Sequence, residues 1–435
     1  MDVAVQAGLI LLVVFALLLI IGTPIAFSII ISSVITAVLI FPVNTSIIIA
    51  AQKAATGVDK LSLLAIPFFI LAGTIMNNGG IAVRLVNFAK VMAGRIPGSL
   101  GQTNVVGNML FGAISGSAVA SAAAMGSILG PMQEKEGYDK TFSATLNIAS
   151  APTGLLIPPS NVLITYSLVS GGTSVAALFM AGYIPGILWG LATMLVGYII
   201  AKRKKYPVSE KIPAKLKLKL FLEAIPALLL IVIVIGGITA GIFTASEGAA
   251  IAVVYALILS MLVYRQLKIK DLPTILLETA RTTAVIMFLI AGSTIMSYVM
   301  TVAGIPQAIS DSILSITDNP IAILLIINLL LLIIGTFMDM TPAVLIFTPI
   351  LLPIAMQLGM DPVHFGIMIT MNLCIGSITP PVGNCLFIGC KVGKVKIDEV
   401  LKPLLPYYFA IIITLLIVTF VPELSLWIPR MTGNL

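Results

Sequence analysis

Charged residues are scarce in this sequence. Asp, Glu, Lys and Arg together make up 9% of the 435 residues, whereas hydrophobic residues make up 59%. A soluble globular domain carries about 25% charged residues, so this composition excludes an ordinary soluble domain. Apolar runs of about 18 or more residues recur instead, which is the length that a transmembrane helix needs. The alternation typical of a transmembrane β-barrel is missing from these runs. The sequence therefore predicts an all-α polytopic membrane protein.

Histidine and cysteine, which carry much of enzyme chemistry, are also scarce. The single histidine, His364, follows Asp361 and Pro362 at a predicted helix start, which favours a surface or capping role over catalysis. The three cysteines have neither zinc-ligand spacing nor histidine partners, so we expect small apolar fillers. They are Cys374, Cys385 and Cys390. No nucleophile–histidine–acid set, phosphate-binding loop or nucleic-acid motif is visible. We predict no enzyme activity, no organic cofactor and no nucleic-acid partner.

One unusual motif occurs twice. Residues 154–161 read GLLIPPSN and residues 376–384 read GSITPPVGN, each within an apolar stretch. Two consecutive prolines interrupt the hydrogen-bond ladder of a helix. Weaker matches follow the same order at nearly the same spacing, SILGP with PILLP and LAGTIM with IAGSTIM. We therefore predict two repeats, residues 1–201 and 221–435, with broken helices at about 139–170 and 361–390.

Each predicted repeat also contains a second interruption. FGAISGSAVAS (111–121) and IGTFMDMTPAV (334–344) separate apolar arms of about 15 residues, too short to cross a hydrocarbon core of about 30 Å. The flanking charges place both ends of each pair on one side. We predict re-entrant hairpins at about 97–133 and 320–357, whose tips meet the broken helices at mid-membrane. Packing of small residues between helices is the alternative for the first.

Basic loops predict the orientation. The strongly basic stretch 202–220 separates the repeats and is expected in the cytoplasm. With five crossings and one hairpin per repeat, the other basic loops fall on the same side, except Lys53 and Lys60. These residues are Arg84, Lys90, Arg95, Lys135, Lys140, Arg265, Lys268, Lys270, Lys391, Lys394 and Lys396. Both termini are then periplasmic. An odd number of crossings makes the repeats inverted, as in many secondary transporters.

The first apolar segment lacks the features of a cleaved signal. Asp2 precedes it, no basic residue does, and no A-x-A-like site ends it. We expect a retained helix.

The broken helices predict binding sites for ions of both signs. Paired prolines release carbonyls around Gly154 and Gly376, which suit Na⁺, and the following half-helices present positive dipole ends to a carboxylate. Ordinary proline kinks are the alternative. Neighbouring side chains add oxygens and amides: Thr153, Ser160, Asn161, Ser377, Thr379 and Asn384.

Acidic residues divide into three predicted roles. Asp339 is expected inside the hydrocarbon, where it either serves function or caps the next arm. Glu247 is expected as a first-turn acid, and Glu278 with Arg281 as a scaffold ion pair.

These motifs resemble the large membrane subunit of TRAP transporters, the tripartite ATP-independent periplasmic family. The resemblance rests on four stretches: GTFMDMTPAVLIFTPILLPIA, GSITPPVGN, SGSAVASAAAMGSI and PTGLLIPPSN. It implies Na⁺-driven uptake of a small organic acid across the bacterial inner membrane by an elevator motion. It also implies a periplasmic binding protein and a small four-helix membrane subunit, which we expect as a separate chain. Family substrates include four-carbon dicarboxylates, sialic acid and other sugar acids.

The resemblance also implies site residues. The first Na⁺ site would involve Ser115, Gly116, Pro152 and Asn161, and the second Gly335, Thr336, Gly376 and Thr379. The expected substrate-binding residues are Ser117, Ser160, Asn161, Asp339, Thr341 and Asn384. Two other functions remain open: a stand-alone Na⁺/dicarboxylate symporter without a binding protein, and a membrane scaffold that does not transport.

The predicted orientation can be tested by cysteine labelling. In a background without the native cysteines, we expect Ser209→Cys to react with an impermeant maleimide from the cytoplasmic side and Asp318→Cys from the periplasmic side. The positive-inside rule places the basic linker inside, and the loop near Asp318 lacks Lys and Arg. Labelling of both positions from the same side would contradict the inverted arrangement.

Overall fold

The computed structural model describes residues 3–94, 96–208, 213–317 and 319–435, and all regular secondary structure in these ranges is helical. Eight helical stretches of the described residues are long and apolar enough to cross a membrane. The prediction of an all-α polytopic membrane protein is thereby confirmed. Some residues used above to predict the orientation lie outside the described residues, namely Arg95, linker residues 209–212 and Asp318.

The first half of the chain runs from α1 to α11. Its helices are α1 Val3–Ile20, α2 Ile25–Val38, α3 Val43–Val58, α4 Ala65–Asn78, α5 Ile81–Ala93, α6 Ser99–Ser115, α7 Ala118–Lys135, α8 Lys140–Ser150, α9 Thr153–Leu156, α10 Asn161–Val169 and α11 Val175–Arg203. A 3₁₀ turn, Leu61–Leu64, leads into α4.

The second half runs from α12 to α21. Its helices are α12 Ala214–Thr239, α13 Ala245–Leu257, α14 Leu272–Ala303, α15 Ile305–Ile316, α16 Pro320–Phe337, α17 Met340–Gln357, α18 Pro362–Ser377, α19 Asn384–Gly393, α20 Ile397–Phe420 and α21 Glu423–Met431. A π-helical turn, Ile258–Val263, extends α13, and a 3₁₀ turn, Ile269–Asp271, precedes α14.

Local sequence explains where several helices begin. Asp361 accepts a hydrogen bond from the Val363 N–H at 2.7 Å and so caps α18, with Pro362 in the first turn. Thr244 and Glu247 form a capping box at the start of α13. The prediction that Glu247 is a first-turn acid is therefore confirmed.

An ion pair joins the start of α8 to the end of α11. Asp139 caps this helix by accepting from the Thr141 N–H, and its carboxylate lies 2.9 Å from the Lys204 ammonium at the end of α11. Partial burial by itself would raise the pKa of the Asp139 carboxyl. The hydrogen bonds from Lys204 and Thr141 have the larger combined effect, so the pKa of Asp139 lies below its ordinary value. This loop connects α7 to α8, so the ion pair helps to position both.

The hairpin arms are longer than predicted. The helices α6, α7, α16 and α17 contain 17, 18, 18 and 18 residues. An arm of 18 residues is about 27 Å long, close to the thickness of the hydrocarbon core, so the expectation of 15-residue arms was wrong. Length alone therefore does not decide whether an arm crosses the membrane, and the re-entrant arrangement stays a prediction.

Buried hydrogen bonds join the broken helices to their neighbours. Trp189 on α11 is fully buried and donates its indole N–H to the Ala149 carbonyl of α8 at 2.9 Å. The Tyr166 hydroxyl of α10 donates to the Pro362 carbonyl at 2.5 Å, which connects the two halves of the chain. Such bonds satisfy backbone groups that lipid cannot satisfy.

Burial corrects one expectation and confirms another. His364 is 1% exposed and its ring nitrogen Nε2 lies 2.8 Å from the Val418 carbonyl, so the expected surface position was wrong. The three free cysteines are all buried, as expected of small apolar fillers. Large exposed apolar side chains lie instead on the long helices, for example Leu195 and Val232. A lipid environment carries no penalty for such exposure.

Candidate functional site

The tip of the first hairpin lies against the start of α10. Gly116 ends α6 with φ +59°, a conformation that suits glycine, and Ser117 caps α7 by accepting from the Ala120 N–H. A Cβ atom added to Gly116 would lie 3.2 Å from the Asn161 side-chain nitrogen and 3.2 Å from the Pro159 carbonyl oxygen. The predicted meeting of tip and broken helix is therefore present in the first half.

The tip of the second hairpin lies against the start of α19 in the same manner. The Asn384 side chain donates to the Asp339 carboxylate at 2.9 Å, and the Val382 N–H donates to the Thr336 carbonyl at 3.1 Å. Asp339 precedes α17, but its side chain accepts no capping hydrogen bond. The capping alternative for Asp339 was therefore wrong, and its carboxylate is directed to Asn384.

The two broken helices share their local design. In each, a Pro-Pro pair with a cis peptide bond, Pro158-Pro159 or Pro380-Pro381, precedes a new helix whose first residue is asparagine. Asn161 opens α10 and Asn384 opens α19. Because proline has no N–H, the carbonyls one turn upstream lose their helical donors.

Glycine pairs place each hairpin directly on its broken helix. A Cβ on Gly112 would lie 2.4 Å from the Gly154 Cα, and a Cβ on Gly376 would lie 2.3 Å from the Gly335 carbonyl carbon. Real Cβ atoms do not approach backbone this closely, so only glycine permits either crossing. Gly154, Gly335 and Gly376 were predicted from the sequence to lie at or near the sites. Gly112 was not, because its partner is visible only in the fold.

A cavity of about 490 Å³ lies between the two hairpin tips and the two half-helix starts. Four helices begin at this cavity. The first residues of α7, α10, α17 and α19 line it, namely Ala118, Asn161, Met340 and Asn384. Each N-terminus carries roughly +0.5 of an elementary charge and unpaired N–H donors. The convergence creates an anion-binding environment from backbone alone.

Helices α4 and α14 form the opposite wall of the cavity. Ile70, Gly73, Thr74 and Asn77 share one face of α4, and Glu278, Thr282 and Ile286 share one face of α14. Gly73 also approaches the first tip, because an added Cβ would lie 3.0 Å from the Ser115 carbonyl. This wall belongs to neither hairpin and neither broken helix.

Glu278 has a different position from the one predicted. No ion pair joins it to Arg281 within the part of the chain that the structure describes, and its side chain lines the cavity instead. The scaffold-pair expectation was therefore wrong. An acid within a long apolar helix is itself a signal for function, and this signal was available in the sequence.

Only some of the predicted residues line the cavity. Those that line it are Ser115, Gly116, Ser117, Asn161, Asp339, Thr341, Ser377 and Asn384. Those that do not line it are Pro152, Ser160, Gly335, Thr336, Gly376 and Thr379. Ser160 caps α10 by accepting from the Leu163 N–H.

The two predicted cation sets differ in how closely they assemble. Gly335 and Gly376 touch, and the Gly376 carbonyl accepts from the Thr379 N–H at 2.9 Å, so the second set forms one cluster. In the first set, Gly116 adjoins Asn161, but the Pro152 carbonyl accepts from the Leu155 N–H and lies 3.8 Å from the Cys374 sulfur of the other half.

The described side chains that line the cavity include acids but no bases. Asp339 and Glu278 line it, and none of the lining residues that the structure describes is Lys, Arg or His. The Oδ1 atom of Asn161 is buried and has no hydrogen-bond partner within the described chain. An unpaired buried oxygen at the start of a half-helix suits a small cation.

A buried asparagine network, missed in the sequence analysis, holds the first hairpin in place. Asn108 on α6 donates to Asn104 and to the Ser150 hydroxyl of α8, both at 2.8 Å, and accepts from the Ser121 hydroxyl of α7 at 2.7 Å. Asn147 on α8 donates to a carbonyl of α7. Asparagines four residues apart in an apolar helix were the available signal.

Comparison with known proteins identifies the family. Residues 12–424 match the family described as tripartite ATP-independent periplasmic transporter, DctM component. The chain belongs to this family. It is the large permease component of a TRAP transporter, a multi-pass membrane protein and not an enzyme.

Individual relatives cover nearly the whole TRAP permease chain. The uncharacterized protein YgiK of Salmonella typhimurium is 54% identical over 96% of this chain and 96% of its own. The sialic acid TRAP transporter large permease protein SiaM of Vibrio cholerae is 41% identical over 95% and 96%. Among solved structures, the YdaH transporter of Alcanivorax borkumensis shares the fold, with a TM-score of 0.62, 13% identity and 86% of each chain covered.

The glycine crossings can be tested by unfolding of the detergent-purified permease. We expect Gly112→Ala and Gly376→Ala each to lower the free energy of unfolding by about 1–3 kcal/mol or more, because the new methyl overlaps backbone that has no rotamer to change.

Gly236→Ala is the matched control, since this helical glycine of α12 has no atom within 4 Å of an added Cβ. Removing its backbone freedom should stabilise the protein by about 0.5–1 kcal/mol. If Gly376→Ala behaved like Gly236→Ala, the crossing would not be a close contact in the folded protein.

Proposed function

We propose that this permease carries a small organic acid anion together with Na⁺ across the bacterial inner membrane, toward the cytoplasm. The observation that carries the proposal is the cavity described above, where four helix N-termini meet two carboxylates and no described cationic side chain. The proposed motion is an elevator movement, and both termini are proposed to be periplasmic.

The backbone supplies the anion site. Unpaired N–H groups at the starts of α7, α10, α17 and α19 can donate to a carboxylate, and their dipoles favour negative charge. Ser117, Thr341 and the amides of Asn161 and Asn384 add polar contacts within the same cavity. Such a set fixes carboxylates without a lysine or an arginine.

The carboxylates in the cavity support the proposal of a coupled cation. Asp339 and Glu278 repel an anionic substrate, and an effective interior dielectric near 20 leaves about 4 kcal/mol between unit charges 4 Å apart. A Na⁺ bound near each hairpin tip would offset this repulsion. Oxygens are available near both: the unpaired Asn161 Oδ1 at the start of α10, and the cluster of Gly335, Thr336, Gly376 and Thr379.

The packing also supports two bodies that move relative to each other. Each hairpin is fixed to its broken helix by a glycine crossing, and the Cys374 sulfur and Tyr166 hydroxyl join the two halves. These contacts favour one rigid transport unit. Helices α4 and α14 contribute the opposite wall, so sliding of the unit along this wall would change which side the cavity faces.

The partners and substrate class follow from the family. We propose a periplasmic binding protein that delivers the substrate and a small membrane subunit that completes the permease. The Vibrio cholerae relative is named for sialic acid, and sialic acid, other sugar acids and four-carbon dicarboxylates all present the carboxylate that the cavity suits. Substrate uptake by the permease without a binding protein would instead support the stand-alone symporter.

Cation binding can be measured first by thermal unfolding of the detergent-purified permease in Na⁺ or K⁺ at constant ionic strength. A ligand specific to the folded state stabilises it by about 2.7 kcal/mol at a hundredfold excess over Kd. We expect Na⁺ alone to stabilise the protein, and Asn161→Ala and Thr379→Ala each to reduce the response.

Controls separate cation binding from general damage. Thr56→Ala matches Thr379→Ala, because both hydroxyls donate to the carbonyl four residues earlier, yet Thr56 lies on α3, away from the cavity. Its Na⁺ response should be unchanged. Equal unfolding temperatures in Na⁺ and K⁺ for the unmodified protein would contradict sodium coupling and leave the coupling ion to be another species.

A further inference from the structure

A second large opening lies away from the transport cavity, between α5, the start of α12 and the end of the π-helical turn after α13. Its volume is about 780 Å³. Its walls combine apolar and cationic residues, among them Val83, Arg84, Lys215, Lys219, Leu222 and Tyr264. We call it the basic groove. None of these residues takes part in the proposed transport site.

Three cationic side chains line the basic groove. The Arg84 guanidinium lies 3.6 Å from the centre of the Tyr264 ring and donates to the Gly80 carbonyl at 2.9 Å, which fixes its position. Lys215 and Lys219 lie one turn apart on α12. One acid also lines the groove: the Glu223 carboxylate lies 3.9 Å from the Lys219 ammonium, one turn further along α12. The net charge of the groove is positive.

The apolar wall of the basic groove is exposed. Leu218 is 59% exposed, Leu222 54% and Val263 56%. Leu218 and Leu222 lie beside the two lysines at the start of α12, where the basic linker gives way to an apolar span. Val263 ends the π-helical turn that lines the same groove. Cationic side chains are thus followed by exposed apolar side chains. A phospholipid has the matching order, a charged headgroup followed by apolar acyl chains.

The character of α5 agrees with this match. Helix α5 has an apolar buried face and carries Arg84 away from that face, as helices at a membrane surface do. On the orientation that we propose for the transporter, this surface is cytoplasmic, and basic pockets between helices on that side suit anionic headgroups.

We propose that the basic groove is a binding site for an anionic phospholipid. The phosphate lies among Arg84, Lys215 and Lys219, the Asn87 amide donates to the headgroup, and the acyl chains run along Leu218, Leu222 and Val263. The proposal depends on the proposed orientation for its sidedness but not on sodium coupling or on the substrate.

Occupation of the basic groove would affect the first hairpin. Helix α5 packs against α12 on one side and against α6, the first arm of that hairpin, on the other. A lipid held between α5 and α12 therefore stabilises the connection between the hairpin and the surrounding helices. The expected consequence is higher stability of the whole permease in membranes that contain anionic lipid.

The test is thermal unfolding of the detergent-purified permease titrated with dioctanoyl-phosphatidylglycerol or with dioctanoyl-phosphatidylcholine. We expect stabilisation by phosphatidylglycerol alone. The double variant Lys215→Gln, Lys219→Gln should weaken its apparent affinity by about fivefold per charge removed. Glu223→Gln should strengthen it, a change in a direction that structural damage would not produce.

Lys391→Gln with Lys396→Gln is the matched control, because both lysines are expected on the same membrane side but lie on α19 and directly before α20, and neither lines the basic groove. Four results would overturn the proposal. Three are equal effects of the two lipids, equal effects of the two double variants, and the same stabilisation by inorganic phosphate alone. The fourth is crosslinking of Leu222→Cys to a co-expressed small subunit, which would assign the groove to a protein partner.

Discussion

The architecture of this permease depends on two contacts between backbones. Where Gly112 crosses Gly154, and where Gly335 crosses Gly376, a hairpin arm lies directly on an interrupted helix with no side chain between them. Interrupted backbone in a membrane must be enclosed by protein or water. The crossings enclose it, and they also bring each hairpin tip to the start of the half-helix that follows the proline pair.

The polar chemistry of the cavity follows from this packing. Once the tips meet the half-helices, four helix N-termini face one space, and their combined dipoles provide positive potential without a lysine or an arginine. Asp339 and Glu278 then supply negative charge in the same space. An environment of this kind is better suited to an ion pair than to either ion alone, and this is the physical basis of the coupled transport that we propose.

Much of the architecture could be predicted because it depends on local sequence. The Pro-Pro breaks, the cap at Asp361 and the capping box at Glu247 each follow from a few adjacent residues, and the structure contains all of them. The tips meet the broken helices as predicted because the repeated motifs specify both partners. The limits appear where a property depends on distant residues.

Three examples show these limits. Gly112 resembles an ordinary small residue until Gly154 is placed against it. His364 was expected at the surface because it follows a helix cap, but the neighbouring α20 buries it. Glu278 was assigned a partner on its own helix, whereas the cavity across from it determines its position. In each case, the decisive neighbour lies far away in the sequence.

The most direct test of the central claim is uptake by the complete transporter in proteoliposomes. The organic acid that the periplasmic binding protein carries would be supplied outside with that protein, and the external cation would be either Na⁺ or choline at equal ionic strength. Sodium-coupled transport predicts accumulation with external Na⁺ and its loss when an ionophore dissipates the Na⁺ gradient. Equal accumulation in choline would contradict the claim that the cavity carries anion and sodium together.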